Sequence, residues 1–306
     1  MTRILVTEPE YFDEEAMRIL RRAGSVTARR MSQSQLVHSI GSYDALVVRI
    51  EMKLDRRTLG KAARLRVIGS ATTGLNHIDL EYAKRRGIRI INLHGTHTVP
   101  TAEHAFALIL SLARKIPWAF EHMKEGKWQR YEFIGSQLMG KRLGVIGLGR
   151  IGLQLARHAR AFGMDVVYYD PYVNYPGFRK VGLDALMRTS DVVSVNAMLT
   201  DETRGMIDYG KLKLMKKSAL LVNTARGGII DTAALLRALK NKVIAAAALD
   251  VFPTEPLENT RDPVVAYARS SENLIITPHI GASVREAVHL AGVEIARGVS
   301  DALEGA

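Results

Sequence analysis

Ten residues constrain this chain more than any others. Leu143-Gly144-Val145-Ile146-Gly147-Leu148-Gly149-Arg150-Ile151-Gly152 runs from an apolar strand, through glycines spaced G-x-G-x-x-G, into a helical pattern. Gly147 suits the tight turn, Gly149 lets an anion approach the backbone, and Gly152 lets the helix pack closely on the strand. The helix N-terminus then offers free N–H groups and a partial positive charge to phosphates. Eighteen residues after Gly152, Asp170 closes the run Val166-Val167-Tyr168-Tyr169. A carboxylate there accepts from the hydroxyls of an adenosine ribose and repels a 2′-phosphate, so the pattern predicts NAD rather than NADP. Without Asp170 the motif would be no more than a glycine-rich turn.

The surrounding chain repeats the strand–helix alternation that such a turn requires. Ile4-Leu5-Val6, Ala45-Leu46-Val47-Val48, Val67-Ile68-Gly69 and Ile88-Arg89-Ile90-Ile91 read as strands, with helices at about 14–22, 55–63 and 78–86. Continuous apolar runs of this kind belong to parallel strands covered on both faces. A long helix follows, from about Thr101 to Lys115, and then an aromatic and polar segment, Trp118 to Met139, with no strand pattern. A second series has strands at about 142–146, 165–169, 192–195, 219–223, 244–248 and 274–277, and helices at about 150–162, 183–188, 231–240 and 284–303. The fold class is α/β, with two doubly wound parallel-sheet domains.

Composition removes several classes of function. The 306 residues contain no cysteine, which excludes a disulfide scaffold, a thiolate metal site and a cysteine nucleophile. The longest apolar run, Ala105–Ala113, is far shorter than the ~18 residues of a membrane span, and no signal-peptide pattern follows Met1. A cytoplasmic protein is expected. The net charge of +12 is spread along the chain, with an excess of seven basic residues in 1–96 and seven in 97–282. Such a field suits attraction of small anions better than a nucleic-acid surface. His94, His97 and His104 could suggest a metal, but no carboxylate or thiolate completes the set before Glu103. They are read as loop and helix-cap residues, with no metal expected.

Three further segments place one polar residue each just beyond a strand. These are Arg226 in Asn223-Thr224-Ala225-Arg226-Gly227-Gly228, Glu255 in Asp250-Val251-Phe252-Pro253-Thr254-Glu255-Pro256, and His279 in Thr277-Pro278-His279-Ile280-Gly281. Ligands of open α/β sheets bind beyond the carboxyl ends of strands. Reduction of a 2-oxo acid needs a cation for the carboxylate, a proton donor for the carbonyl oxygen, and a group that holds the donor protonated. Arg226 offers the bidentate fork, His279 the general acid–base near neutrality, and Glu255 the partner that fixes its ring.

These segments, with Glu103-His104 at the start of the long helix, resemble the D-isomer-specific 2-hydroxyacid dehydrogenases, and within them most closely the phosphoglycerate dehydrogenases. The resemblance implies a flavodoxin-like substrate-binding domain built from 1–96 and 283–306, and a Rossmann NAD-binding domain at 97–282. It implies a two-strand hinge near Gly95-Thr96 and Ser283 that closes on the substrate. It carries the catalytic roles onto Arg226, Glu255 and His279. Cofactor contacts follow at Gly147, Gly149, Arg150, Ile151, Gly152, Asp170, Thr73, Thr224 and Asp250, and substrate contacts at Arg49, Thr73, Gly74 and Arg226. A homodimer through the NAD-binding domain is implied, with Arg130 reaching the neighbour's substrate, and no regulatory C-terminal module is expected. The chain departs from the family at Asn196-Ala197-Met198, where a His and a Pro are common, and at Ile50 and Met52, where small hydroxyl residues are usual. The expected reaction interconverts 3-phosphoglycerate and its 2-oxo acid, as in serine biosynthesis. Reduction of glyoxylate or hydroxypyruvate is the alternative, and an NAD-sensing corepressor a remote one.

Overall fold

The structure is a computed structural model that describes residues 1–72, 74–93, 95–257 and 261–305. Thr73, expected to contact both cofactor and substrate, and His94 lie outside the described residues. The chain forms two compact units, Met1–His97 with Ser283–Ala306, and Thr98–Ala282.

The first unit carries five parallel strands, β1 (Arg3–Val6), β2 (Ser25–Ala28), β3 (Ala45–Val48), β4 (Val67–Ser70) and β5 (Arg89–Asn92), in the order β2-β1-β3-β4-β5. This is the flavodoxin-like order. Alternate side chains of each strand enter opposite layers. Ile4, Val6, Val47 and Val67 pack with Leu20 of the helix Glu14–Ala23 and with Ile295 and Val299 of the helix Arg285–Glu304. Leu5, Leu46, Val48 and Ile68 pack on the other face with Leu36, Ile40 and Leu59. Burial on both faces is the reason these strands read as continuous apolar runs.

The second unit carries seven parallel strands, β6 (Arg142–Ile146), β7 (Asp165–Tyr169), β8 (Arg179–Lys180), β9 (Val192–Val195), β10 (Leu220–Asn223), β11 (Ala246–Leu249) and β12 (Leu274–Ile276), in the order β12-β11-β10-β9-β6-β7-β8. The order reverses between β6 and β9, which creates the crevice beyond their carboxyl ends where dinucleotides bind in doubly wound sheets. The helices Thr98–Arg114 and Arg150–Ala161 cover one face through Ala105, Ile109, Leu155 and Ala159, packed on Leu143, Val145, Val166 and Val222. The helices Leu183–Thr189, Tyr209–Leu214 and Thr232–Lys240 cover the other through Leu186, Leu212 and Leu235.

Several elements differ from the sequence expectation. The long helix starts at Thr98 rather than Thr101. The strand expected at 244–248 is β11, which begins later, at Ala246, and ends at Leu249. The strands β2 and β8 and the helices Gln33–Ser39, Ile116–Lys124, Tyr209–Leu214 and Pro263–Arg269 have no clear pattern in the sequence. No helix among the described residues is long and apolar enough to cross a membrane.

Candidate active site

Gly147 sits at the end of β6 with φ +87°, in the left-handed region that glycine adopts without strain. A Cβ there would lie 2.8 Å from the backbone of Ala197, and one on Gly152 would lie 2.1 Å from the Gly147 carbonyl oxygen. A Cβ on Gly149 would meet nothing within 4 Å, so the backbone at the start of the helix Arg150–Ala161 is open to a ligand. Arg150 is exposed and Ile151 partly buried in this first turn. Asp170 is buried beyond β7, and its carboxylate accepts from the Leu148 amide of the glycine turn (2.8 Å) and from the amides of Tyr172 and Val173 (2.9 and 3.0 Å).

Two further groups reach the same end of the sheet with unmet hydrogen-bonding capacity. Thr224, just past β10, has a buried hydroxyl with no partner. Asn196, just past β9, donates from Nδ2 to Ser194, while its buried Oδ1 has no partner. Its backbone N–H donates to the Ile146 carbonyl at 2.7 Å, which fixes it at the reversal of strand order. Buried orphan polar atoms of this kind fit a polar ligand. Together with the open Gly149 backbone, they fit a dinucleotide. In the sequence Asn196 shows only as a departure from the family; its signal is being the first polar residue after the fully buried Val192–Val195.

Arg226, Glu255 and His279 follow β10, β11 and β12. His279 Nδ1 and Glu255 Oε2 are 2.6 Å apart, and the other Glu255 oxygen accepts from the Phe252 amide at 2.7 Å. Burial works to raise the Glu255 carboxyl, but the His279 hydrogen bond, the Phe252 amide and the charges of His279 and Arg226 outweigh it and hold it below the ordinary carboxylate value. Burial lowers the Arg226 guanidinium, and the Glu255 charge opposes that effect; an arginine nevertheless stays protonated at any working pH. Arg226 Nη1 donates to the Ala225 carbonyl at 2.6 Å, while buried Asn223 ties the turn by donating to the Arg226 carbonyl (3.0 Å) and accepting from the Ala225 amide (3.0 Å). Gly227 allows this turn to approach its neighbour, since a Cβ there would lie 2.0 Å from the Phe252 carbonyl carbon.

Asp250 is 1% exposed and underlies the histidine turn. Its carboxylate accepts from the Thr277 hydroxyl (2.5 Å) and the amides of Ile280 and Gly281 (2.9 Å each), and its carbonyl accepts from the His279 amide (2.9 Å). His104, which the sequence presents as a cap or loop residue, lies inside the helix Thr98–Arg114, with Nε2 3.3 Å from both Asp250 Oδ1 and Thr277 Oγ1. Among the described residues no cluster of three or more His, Cys, Asp or Glu is arranged to hold a metal.

Arg49 and Gly74 belong to the first unit. Arg49 follows β3; its amide donates to Glu8 (2.7 Å) and its guanidinium lies 3.9 Å from the centre of the Tyr11 ring. Glu8 is fully buried, with one oxygen unpartnered. Burial, helped by the Glu51 charge, raises its carboxyl against the lowering effect of the Arg49 amide. Arg30 Nη2 donates to both Glu51 carboxylate oxygens at 2.8 Å, and its Nη1 pairs with Glu10. Beyond β4, Thr72 donates to the Gly74 carbonyl at 2.8 Å.

Residues 106–281 match the family model described as D-isomer specific 2-hydroxyacid dehydrogenase, NAD binding domain. A D-3-phosphoglycerate dehydrogenase of Archaeoglobus fulgidus is 41% identical over 310 residues, which cover 99% of this chain and 58% of that protein. The chain thus spans less than two thirds of that relative's length. Among solved structures, the TT0316 protein from Thermus thermophilus superposes with a TM-score of 0.92 at 33% identity, over 99% of this chain and 97% of the other. D-lactate dehydrogenase from Aquifex aeolicus, complexed with NAD and lactic acid, superposes with a TM-score of 0.83 at 28% identity, over 99% and 95%. The chain belongs to the D-isomer-specific 2-hydroxyacid dehydrogenases and carries that family's NAD-binding domain.

Proposed function

We propose that the protein is an NAD-dependent dehydrogenase that interconverts a D-2-hydroxy acid and its 2-oxo acid, with 3-phosphoglycerate as the leading substrate. The observation that carries this reading is the 2.6 Å His279–Glu255 pair with the Arg226 charge beside it, at the carboxyl ends of an NAD-domain sheet. NAD, when bound, takes up or delivers hydride at C2. Gly147, Gly149 and the first turn of the following helix would hold its pyrophosphate, Asp170 its ribose, and Thr224 and Asp250 its nicotinamide end. Arg226 binds the substrate carboxylate through its fork and draws electron density toward the C2 oxygen. His279 exchanges the proton of that oxygen from Nε2, while Glu255 holds Nδ1 and stabilises the protonated ring.

The 41% identity to a D-3-phosphoglycerate dehydrogenase supports the phosphorylated substrate, with Arg49 as its phosphate partner. One observation favours the unphosphorylated acids glyoxylate and hydroxypyruvate: Glu10 and Glu51 already pair with Arg30, and Arg49 has the Glu8 carboxylate on its amide and the Tyr11 ring under its guanidinium, so this region is poor in cation left over for a phosphate. Nicotinamide absorbance, followed with NADH and a panel of 2-oxo acids and with NAD and 3-phosphoglycerate, decides. Turnover of 3-phosphoglycerate well above that of the other acids supports the first reading. Preference for hydroxypyruvate or glyoxylate supports the second, and no turnover of any 2-oxo acid overturns both. The same reading takes the protein as a cytoplasmic homodimer joined through 116–139, where Phe120, Trp128, Tyr131 and Ile134 stand exposed.

A further inference from the structure

We propose that His104 is a positioning residue for His279, acting through the Asp250 carboxylate and the Thr277 hydroxyl; this rests on the dehydrogenase reading above. His279 has φ +53°, a left-handed conformation that a non-glycine residue holds only when its surroundings force it. The His279 amide is held by the Asp250 and Thr277 carbonyls, and the turn around it by the Asp250 side chain. Asp250 grips the turn on both sides of His279, at the Thr277 hydroxyl before it and at the Ile280 and Gly281 amides after it. The turn therefore follows wherever the Asp250 carboxylate points.

Asp250 needs a second anchor, because all those bonds run to the segment it is supposed to hold. His104 supplies it from a different element, the helix Thr98–Arg114, whose Ala105 and Ile109 are buried in the core. Its Nε2 is equidistant, at 3.3 Å, from Asp250 Oδ1 and Thr277 Oγ1, so one donor braces both ends of the 2.5 Å hydroxyl–carboxylate bond. Burial works to raise the Asp250 carboxyl, and the His104 and Thr277 hydrogen bonds are the largest effects that bring it below its ordinary value. His104 acts through these two neighbours and makes no hydrogen bond or ion pair of its own with the His279 ring.

The test compares His104→Leu, His104→Gln, Thr277→Val and Thr277→Ser with the wild type, each also in a His279→Ala background. His104→Leu is expected to lower kcat about tenfold with KM and NADH affinity within about twofold, and His104→Gln, which keeps an N–H at that position, to restore most of it. Thr277→Val should repeat the loss and Thr277→Ser the recovery. In the His279→Ala background His104→Leu should cost nothing more, since a brace has no effect once the side chain it aims is gone. Equal losses in both backgrounds, wild-type kcat in His104→Leu, or no recovery with Gln would overturn the proposal. A readout independent of turnover is the downfield Nδ1–H resonance of His279 held by Glu255, identified by its absence from His279→Ala. It should broaden or vanish in His104→Leu and persist in His104→Gln; an unchanged resonance in the Leu variant overturns the inference even if the protein reduces no 2-oxo acid. Wild-type turnover tests the dehydrogenase reading separately.

Discussion

The left-handed backbone at His279 costs on the order of 1–3 kcal/mol, and the fold holds it with bonds from the Asp250 carboxylate to the residues that follow. Lys115 and Lys242 share such a φ, but only at His279 does it set the direction of a side chain paired with Glu255. His279→Ala is expected to lower kcat about 10²–10⁴-fold while NADH affinity, measured by fluorescence titration, stays near the wild-type value; a loss below tenfold would remove His279 from proton transfer. Thr224 is the opposite case, a buried hydroxyl without a partner. An unmet buried group costs about 1–3 kcal/mol, so Thr224→Val should leave the thermal midpoint of the cofactor-free protein unchanged or higher. The same substitution should weaken NADH binding several-fold, and the two measurements together separate a ligand contact from a packing defect. Arg226, Glu255 and His279 are legible in the sequence because each is a strongly polar side chain in the loop that follows an apolar strand. His104 is not, since its role depends on a helix face meeting residues far along the chain.

Elements are legible to the degree that they are buried. The strands β1, β3, β4, β9, β10 and β11 stand out because neighbours cover both faces. β2 leaves no such signature, because it is an edge strand with no fully buried residue, and its sequence Ser25-Val26-Thr27-Ala28 offers no apolar run. The helix Ile116–Lys124 likewise has no buried residue and meets the core of this unit only through partly buried Trp118, so no apolar stripe is imposed on it. At the junction of β11 and β12, Asp250 couples the two strand ends. Its carboxyl lies below the ordinary 3.8, so its stabilisation is present in full above that pH and is lost as pH falls through its folded value. Asp250→Asn is expected to cost about 2 kcal/mol at pH 7, with the gap to wild type in thermal midpoint closing as the pH falls below 3.8. A gap that persisted at low pH would assign the loss to packing.

Across the whole molecule, the exposed aromatic and aliphatic side chains of 116–139 argue for association. A stable dimer buries about 1,600 Å², and sedimentation equilibrium at about 10 μM is expected to give twice the monomer mass of 33.8 kDa. Trp128→Glu with Ile134→Lys should shift that equilibrium to monomer; a wild-type monomer would leave this surface for another partner. The chain's order of synthesis adds a separate consequence. The first unit's sheet is complete once β5 emerges, yet the layer containing Ile4, Val6, Val47 and Val67 is closed by Ile295 and Val299, which follow Thr98–Ala282 in the sequence. At ribosomal rates, the part of that face not already covered by the helix Glu14–Ala23 waits about ten to forty seconds for Ile295 and Val299. The protein therefore asks more of the cell's holding chaperones than its short strand connections would indicate, and slowing translation across Thr98–Ala282 should lower its soluble yield.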